Sequence, residues 1–490
     1  MNRKKIINII LILIIIIYMI SIVEKTFFQN DLFFSLSLGK RILEYGFEKN
    51  DYLTWNENLR SIYLRWGFEV IITIFYNLLD YLGIYLFAVI LAISIGLTYF
   101  YVLKKITNKN ILSFICTIVF MKYISSSLVA RAQIISFLLF LIEFYCIEEL
   151  LKTNKKRYFI MLLIIPVLIV NFHASTFPLY FIFYIPYIAE FILSKMKFKE
   201  SEDSKIKIEN KNIIKILYLI GLAGILGLCS PSGLDAYTYV FKVMNAISVN
   251  FISEMATTKL MAHPVIVIML CLLIGIVAFT KVKVRVTDCF YILGITFMAL
   301  NTNRYTVFFY LIATLCIFRI FSDCLDYYNI NLDFINKKIK IILLIILFLI
   351  ILLTSINRFL EKISKEYIDH STYPVNLVKF ILEEIDISDM RIFNHYNFGS
   401  YLEFKGIKAF IDSRAEMFEE EFNNVTILTD WYMASSGSKN YRDILEKYEI
   451  THILLYNDEI INTYIVYDSE WNKIYEDDAF SLYEKIEDYK

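Results

Sequence analysis

The sequence predicts an α-helical polytopic membrane protein with about 11 transmembrane helices and a C-terminal α/β domain outside the membrane. Three observations predict this. Hydrophobic residues make up 58% of the 490 residues, which exceeds their share in soluble globular proteins. Long apolar runs alternate with short polar loops up to residue 357, and the chain after it is polar. Lysine and arginine are concentrated in alternate loops, which indicates a fixed orientation across a bilayer.

A helix needs about 20 apolar residues to cross the hydrocarbon core, and bundled helices are often shorter. Candidate spans lie at 6–23, 83–103, 111–128, 132–151, 158–171, 174–193, 213–230, 264–280, 287–300, 305–321 and 339–357. The first run continues to Val23 and has no small-residue cleavage site behind it. We therefore expect an uncleaved transmembrane helix there, and not a signal peptide.

The orientation follows from the positive charges. With the N-terminus in the cytoplasm, every inner loop is basic or contains a basic cluster. These loops lie at 3–5, 104–109, 152–157, 195–215 and 281–285, and a sixth ends at 338. Because positive loops stay inside and the number of crossings is odd, the C-terminal domain is expected outside.

The first outer loop, 24–82, is long and rich in aromatic residues. Its stretches 31–45 and 66–81 are amphipathic, which is typical of helices that lie in the headgroup layer. An ordinary aromatic belt would account for the Tyr and Trp residues but not for the length of the loop. We expect two domains: a transmembrane domain at 1–357, which includes this loop, and an extracytoplasmic α/β domain at 358–490.

The region after residue 357 alternates between strand-like and helix-like patterns, which predicts a small α/β domain. The predicted strands are RIFN at 391–394, KAFID at 408–412, THILLYN at 451–457, and a final pair at 471–477 and 479–485. The predicted helices lie at 374–385 and 439–449.

Several function classes receive no support from the sequence. None of the seven cysteines lies after Cys324, and none has metal-ligand spacing, so we expect lipid-facing or core thiols. The GxxxxGK[ST], HExxH and GxSxG patterns of ATP hydrolysis, zinc proteolysis and α/β-hydrolases are missing. No cofactor and no metal ion is predicted.

Asp31 is the first candidate for chemistry. It follows the end of the first apolar run, beside apolar neighbours. A partly desolvated carboxylate at the membrane interface can act as a general base. The alternative is an N-cap, because Asp is favoured at the start of a helix such as the one expected at 31–45.

Polar residues recur at the outer membrane boundary. Arg131 and Gln133 precede one apolar run, Asn171 and His173 lie in the turn NFHAS, and Arg304 precedes another run. An arginine fork suits phosphate oxygens, whereas the alternative is a side chain that snorkels to the interface. A lone histidine in a turn is more often structural than catalytic. Their common depth with Asp31 predicts one shared polar site.

A second polar cluster lies in the C-terminal domain. KAFID is expected to be a strand that ends in Asp412, and Arg414 and Glu416 follow it. Side chains at strand ends in α/β domains often contact ligands. The alternative is a salt-bridge network among these three residues.

These features together resemble the GT-C superfamily of membrane glycosyltransferases, and more narrowly a bacterial branch of it. The resemblance rests on Asp31, the turn at 171–175, CSPSG at 229–233, FGSYL…FIDSRAE at 398–416, and the final hairpin. It implies a bacterial plasma-membrane location, a polyprenyl-phosphate-linked sugar as donor, and Asp31 as catalytic base. The run after Asp31 is LFFSL, without the histidine usual in the family, so a divalent metal is not indicated.

The leading hypothesis is an inverting glycosyl transfer at the outer face of the membrane. The outer-boundary residues described above would bind the lipid phosphate and the substrate, and the cluster at 412–416 would face the acceptor. The acceptor would be an envelope glycan, a lipid or a protein, and nothing indicates nucleic acid. The alternative is a non-enzymatic envelope-assembly protein whose outer domain binds a partner. A transporter is disfavoured, because the polar residues cluster at one surface and not at mid-membrane.

Overall fold

The structure is a computed structural model that describes residues 3–23, 29–196, 210–246, 256–330, 337–364, 366–438 and 440–486. Residues 24–28 of the first outer loop and most of the basic loop at 195–215 lie outside the described residues.

Helices dominate the chain up to residue 364. Those described are α1 (Arg3–Ile22), α2 (Asn30–Tyr45), α3 (Trp66–Thr107), α4 (Asn110–Tyr123), α5 (Gln133–Thr153), α6 (Lys156–Phe172), α7 (Phe177–Ile182), α8 (Ile185–Lys195), α9 (Asn210–Leu226), α10 (Asp235–Asn245), α11 (Pro264–Phe279), α12 (Val286–Asn301), α13 (Thr306–Phe308), α14 (Thr314–Tyr327) and α15 (Lys337–Ser364). A π-helical turn joins α13 to α14.

The remaining chain alternates helices and strands, as the sequence predicts. Its described elements are α16 (Val375–Glu384), β1 (Ile392–Asn394), α17 (Gly399–Phe404), α18 (Glu420–Asn423), α19 (Ile427–Ser435), α20 (Tyr441–Lys447), β2 (His452–Tyr456), α21 (Asn462–Ile465), β3 (Trp471–Glu476) and β4 (Phe480–Lys485).

The chain divides into two compact units. Unit 1 contains Met1–Lys25, Ile84–Tyr237 and Ile252–Lys365, and unit 2 contains Thr26–Gly83, Thr238–Phe251 and Glu366–Lys490. Residues 29–82 of the first expected outer loop therefore fold in the same unit as the C-terminal α/β region. The sequence alone placed this loop with the transmembrane helices, and the domain boundary at residue 357 stays a prediction.

The apolar helices identify a membrane protein. Among the described residues, five segments are long and apolar enough to cross a bilayer: Lys5–Ile22, Trp66–Thr107, Ala174–Lys195, Asn303–Tyr327 and Ile342–Glu361. Four shorter apolar helices accompany them. The expected number of about 11 spans is not confirmed.

Unit 2 is built on a four-stranded mixed sheet with the order β1-β2-β4-β3. β1 and β2 are parallel, whereas β4 pairs antiparallel with both β2 and β3. The strand side chains belong to two hydrophobic cores. Each core also includes a side chain from the first outer loop, Leu59 in one and Phe33 in the other. Burial of these two residues explains why the loop folds with the sheet.

The prediction of a strand at KAFID, residues 408–412, is wrong. The described backbone at 408–412 forms only an isolated bridge between Thr54 and Ala409. Side chains take the place of a neighbouring strand: Asn394 accepts a hydrogen bond from the Phe410 amide at 2.8 Å and donates to the Ile411 carbonyl at 2.8 Å. The backbone groups are thereby satisfied without a ladder.

α2 packs tightly on the first half of α3, which also belongs to unit 2. A Cβ atom at Gly39 would lie 2.2 Å from the Glu69 carbonyl oxygen and 2.2 Å from the Thr73 hydroxyl. Only glycine allows this approach of the two backbones. The backbone of α3 is non-helical at Leu79 and Asp80, so a kink separates the expected segments 66–81 and 83–103.

Candidate functional site

Asp31 lies in the first turn of α2, one residue after the helix begins. The N-cap position belongs to Gln29, whose backbone is extended. The N-cap alternative for Asp31 is therefore wrong by two positions. A carboxylate in a first turn is still favoured, because the N-terminal end of the helix dipole is positive. Asp31 is half-buried.

Asn30 fixes the start of α2 on the C-terminal region of the same unit. Its Nδ2 donates to the Tyr396 carbonyl at 2.6 Å, and its Oδ1 accepts from the Ser400 amide at 3.1 Å. Ser400 belongs to the FGSYL run. Because both ends of the Asn30 amide are engaged, the position of the neighbouring Asp31 backbone is tied to this run.

Arg65 places a positive charge near Asp31. Its Nε lies 3.1 Å from Glu69 Oε1. Burial lowers the pKa of Arg65, but the nearby carboxylates of Asp31, Glu69 and Glu416 outweigh this and raise it. The guanidinium thus stays charged and lies in the field of three acidic side chains.

Glu416 is the second acidic residue of this group. Its Oε1 accepts a hydrogen bond from the Tyr239 hydroxyl at 2.8 Å. Burial raises the pKa of Glu416 above its usual value and the Asp31 carboxylate adds to the rise, although Tyr239 and Arg65 oppose it. We call Asp31, Arg65, Tyr239 and Glu416 the acid–arginine cluster. It holds a base candidate, a hydroxyl and a fixed positive charge in one unit.

Arg414 forms a separate buried network. Its guanidinium donates to both carboxylate oxygens of Asp412, and its Nη1 donates to Asp51 Oδ1 at 2.6 Å. Thr54 donates to Asp51 Oδ2 from its amide at 3.1 Å and from its hydroxyl at 3.0 Å. This geometry favours the salt-bridge alternative for Asp412 and Arg414, and it ties residues 51–54 to the DSRAE run.

The pKa values of two carboxyl groups in this network are shifted in opposite directions. Burial favours a high pKa for Asp51, but the Arg414 charge and the Thr54 hydrogen bonds lower it below 3.8. Glu403 lies 3.8 Å from the Arg414 guanidinium, outside hydrogen-bond distance. Burial and the Asp412 charge raise the pKa of Glu403 well above 4.5, despite the opposing Arg414.

A third polar group lies within unit 1. His173 is 7% exposed, its Nδ1 lies 2.7 Å from the Ser136 hydroxyl, and its Nε2 lies 3.4 Å from the Arg304 guanidinium. Because a guanidinium has no acceptor, Nε2 accepts the hydrogen bond and Nδ1 carries the proton that faces Ser136. The structure thus brings together two of the sequence-predicted residues, His173 and Arg304.

The other outer-boundary residues occupy helix ends in unit 1. Arg131 lies in the turn before α5, and Gln133 is the first residue of that helix. Asn171 donates to the Cys229 carbonyl at 2.8 Å, which links the NFHAS turn to the CSPSG run. Asp31 belongs to unit 2, and the expectation that it shares one site with these residues stays a prediction.

Sequence reasoning missed Arg65, Ser136 and Tyr239. Arg65 precedes the apolar run at 66–81 in the way that Arg131 and Arg304 precede theirs, so the same signal could have found it. Ser136 and Tyr239 have no sequence pattern that singles them out. In the part of the chain that the structure describes, no three His, Cys, Asp or Glu side chains are grouped to hold a metal ion.

The fold is similar to solved structures of oligosaccharyltransferases from the archaeon Archaeoglobus fulgidus, among them AglB in complex with an inhibitory peptide and a dolichol-phosphate. The complex with an inhibitory peptide and a dolichol-phosphate gives a TM-score of 0.58 at 10% identity, over 93% of this chain and 70% of that chain. The form tethered with an acceptor peptide containing the NVT sequon and the apo form each give 0.54 at 10% identity. They cover 91% of this chain and 68% and 69% of those chains. No family model and no curated protein matches the sequence. At this identity the likeness establishes the fold, which is the GT-C fold.

Proposed function

Because the chain has the GT-C fold, we propose that it is a membrane glycosyltransferase that moves a sugar from a polyprenyl-phosphate donor to an extracytoplasmic acceptor. The observation that carries the proposal is the acid–arginine cluster, which gives Asp31 a charged partner in a chain with this fold. The dolichol-phosphate in the AglB complex supports a lipid-linked donor. The bacterial plasma membrane is the proposed location, with unit 2 on its outer side.

Asp31 is the proposed general base. It takes the proton of an acceptor hydroxyl while that oxygen attacks the anomeric carbon of the donor sugar. The bond between the anomeric carbon and the phosphate oxygen breaks at the same time, with inversion, and the polyprenyl phosphate leaves as a stable anion. Arg65 places a positive charge near Asp31, where it can stabilise the negative charge that develops between the acceptor oxygen and the base.

Arg304 and Arg131 are proposed to bind the lipid phosphate, since the planar fork of arginine matches phosphate oxygens. His173 holds the Arg304 guanidinium by accepting its hydrogen bond, which makes it a positioning residue. Asn171 and Gln133 are proposed to contact the substrate. Glu416 is proposed to face the acceptor, and the network of Arg414 and Asp412 supports the shape of unit 2.

The donor is tested by lipid analysis of a deletion strain. Loss of the gene is expected to cause a polyprenyl-phosphate sugar to accumulate in the membrane, because its consumer is absent. A plasmid copy is expected to restore the normal level. An unchanged lipid profile together with a normal envelope glycan would contradict the proposal and favour the non-enzymatic assembly protein.

The acceptor class is read from the same strain. Envelope glycans, glycolipids and glycoproteins are compared between the deletion strain and its complemented form. One of the three classes is expected to lose a sugar residue, since the proposed transfer needs an acceptor hydroxyl outside the membrane. Loss in one class only would identify the acceptor.

A further inference from the structure

An open pocket of about 380 Å³ lies in unit 2, and its described lining includes none of the residues assigned above. It is lined by residues that include His395, Ser435, Tyr456, Asp458 and Glu459. The volume falls within the range of small-molecule sites. The proposed transfer reaction uses none of these side chains.

The pocket lies where two parallel strands end. His395 directly follows β1, Tyr456 is the last residue of β2, and Asp458 and Glu459 come just after it. The two strands are paired in parallel. In open α/β sheets, ligands bind outside the carboxyl ends of the strands. The pocket therefore lies where this kind of sheet commonly binds a ligand.

Two buried polar atoms of the pocket residues lack a hydrogen-bond partner among the described residues. They are Glu459 Oε2 and Ser435 Oγ. The other oxygen of Glu459 accepts from the Tyr456 amide at 3.2 Å, which fixes the carboxyl group. A buried polar atom without a partner costs free energy, so either side chain would gain a hydrogen bond by turning toward a ligand hydroxyl in the pocket.

The charges of the pocket disfavour anionic ligands. None of the described lining residues is Lys or Arg. Burial lowers the pKa of His395 to about 4 despite the opposing Asp458, so its imidazole is neutral near pH 7. Burial raises the pKa of Glu459 to about 8, so this group holds its proton there and can donate a hydrogen bond. Only Asp458 contributes a full charge, and it is negative.

We propose that this pocket binds an uncharged glycan through hydrogen bonds to Ser435, Asp458 and Glu459. A sugar ring supplies many hydroxyl groups that both donate and accept, which matches a set of hydroxyl and carboxyl groups. Phosphorylated or uronic sugars are repelled by Asp458. The identification of this glycan with the acceptor rests on the proposed function, but binding itself does not.

Binding is tested with the full-length protein in lipid nanodiscs without any donor. Saturation-transfer NMR is recorded with maltotriose and N,N′,N″-triacetylchitotriose as uncharged probes and trigalacturonate as the anionic probe. We expect at least one uncharged trisaccharide to bind at millimolar concentration and trigalacturonate not to bind. Because no transfer takes place, the result does not depend on whether the chain is a glycosyltransferase.

Variants locate the binding site. Ser435→Ala and Glu459→Met are each expected to weaken binding about fivefold or more, the effect of one lost hydrogen bond. Glu446→Ala, which removes an exposed carboxylate of α20 outside the pocket, is expected to bind normally. Binding of trigalacturonate alone, no binding of either uncharged probe, or binding that both pocket variants leave unchanged would each overturn the proposal.

Discussion

Asp31 occupies a position where its charge has two separable effects. In the first turn of α2 it stabilises the helix, which is worth about 0.3–1 kcal/mol, and beside Arg65 it is the proposed base. Asp31→Asn is expected to lower sugar transfer by about 10²–10⁴-fold, the usual contribution of a positioned base. The measurement is consumption of the polyprenyl-phosphate sugar in membranes.

Asp443 provides the matched control, because it is an exposed acidic residue in the first turn of α20. Asp443→Asn removes the same kind of first-turn charge and is expected to leave transfer unchanged. Full transfer by Asp31→Asn would return Asp31 to a structural role.

Glu403 makes unit 2 sensitive to pH. Its pKa is raised in the folded protein, so below pH 4.5 both folded and unfolded chains carry the proton. As the pH rises above 4.5, the unfolded chain loses its proton first, and stability falls by about 1.4 kcal/mol per pH unit until the folded pKa is reached. Glu403→Gln is therefore expected to raise the unfolding temperature at neutral pH.

The pH profile separates this cause from a general effect of the substitution. Below pH 4.5 the Gln variant and the natural protein are expected to unfold at similar temperatures. Asp51 acts in the opposite direction, because its pKa is lowered from 3.8, and its contribution is lost as the pH falls below that value. A constant difference between Glu403→Gln and the natural protein at every pH would contradict the assignment.

Residue types at the membrane boundary could be predicted from the sequence, but their partners could not. His173 and Arg304 were both singled out, and they are hydrogen-bonded. Asp412 and Arg414 were also found, but Asp51, which completes their network, lies 363 residues before Arg414. Contacts over such distances depend on the tertiary fold, and no local pattern encodes them.

Asn30 determines how α2 packs against the C-terminal region of unit 2. Asn30→Ala leaves the Ser400 amide and the Tyr396 carbonyl without their partner, and is expected to destabilise unit 2 by about 1–3 kcal/mol. Ser37→Ala is the control, because the one hydrogen bond of the Ser37 hydroxyl within the described part of the chain goes to the Phe33 carbonyl of its own helix. Limited proteolysis of the purified protein measures the difference. Equal cleavage rates would argue against this role.

Close packing of α2 on α3 predicts an unusual response to alanine. Alanine in place of glycine favours an isolated helix by about 1 kcal/mol, yet Gly39→Ala is expected to destabilise the protein by about 1–3 kcal/mol through overpacking. Gly221→Ala in α9 is the contrast, because no atom of the described residues outside the backbone of its own helix lies within 4 Å of its Cβ position. Thermal unfolding in detergent measures the change in stability of each variant. The unfolding temperature is expected to fall for Gly39→Ala and not for Gly221→Ala. A stabilised Gly39→Ala would contradict the packing.

Element types were predictable where the hydrophobic period was clear. The strands at 392–394, 452–456, 471–476 and 480–485 and the helices at 375–384 and 441–447 match the sequence pattern. The prediction of a strand at KAFID was wrong because Asn394 and other side chains form hydrogen bonds with its backbone groups. The hydrophobic period of a sequence gives no information on such bonds. Side-chain hydrogen bonds to backbone compete with ladders for the same groups.

For the whole molecule, the positive-inside rule predicts a cytoplasmic N-terminus and an extracytoplasmic C-terminus. Alkaline phosphatase fused after residue 490 is expected to be active, and green fluorescent protein fused there is expected to be dark. Fusions after Lys105 give the matched control with the reverse pattern, because this loop is predicted to be cytoplasmic. A fluorescent C-terminal fusion would overturn the topology and the proposed mechanism with it.

Unit 2 is assembled from segments that are far apart in the sequence, and this affects its biosynthesis. Asp51 leaves the ribosome 363 residues before Arg414, a delay of roughly 20–70 s at translation rates of 5–20 residues per second. In the predicted orientation, the nascent first loop is translocated during this interval but lacks the strands that bury its Phe33 and Leu59. A secretion chaperone that shields exposed apolar surface would act in this window, and truncated chains that stop before residue 366 are expected to be substrates for quality-control proteases.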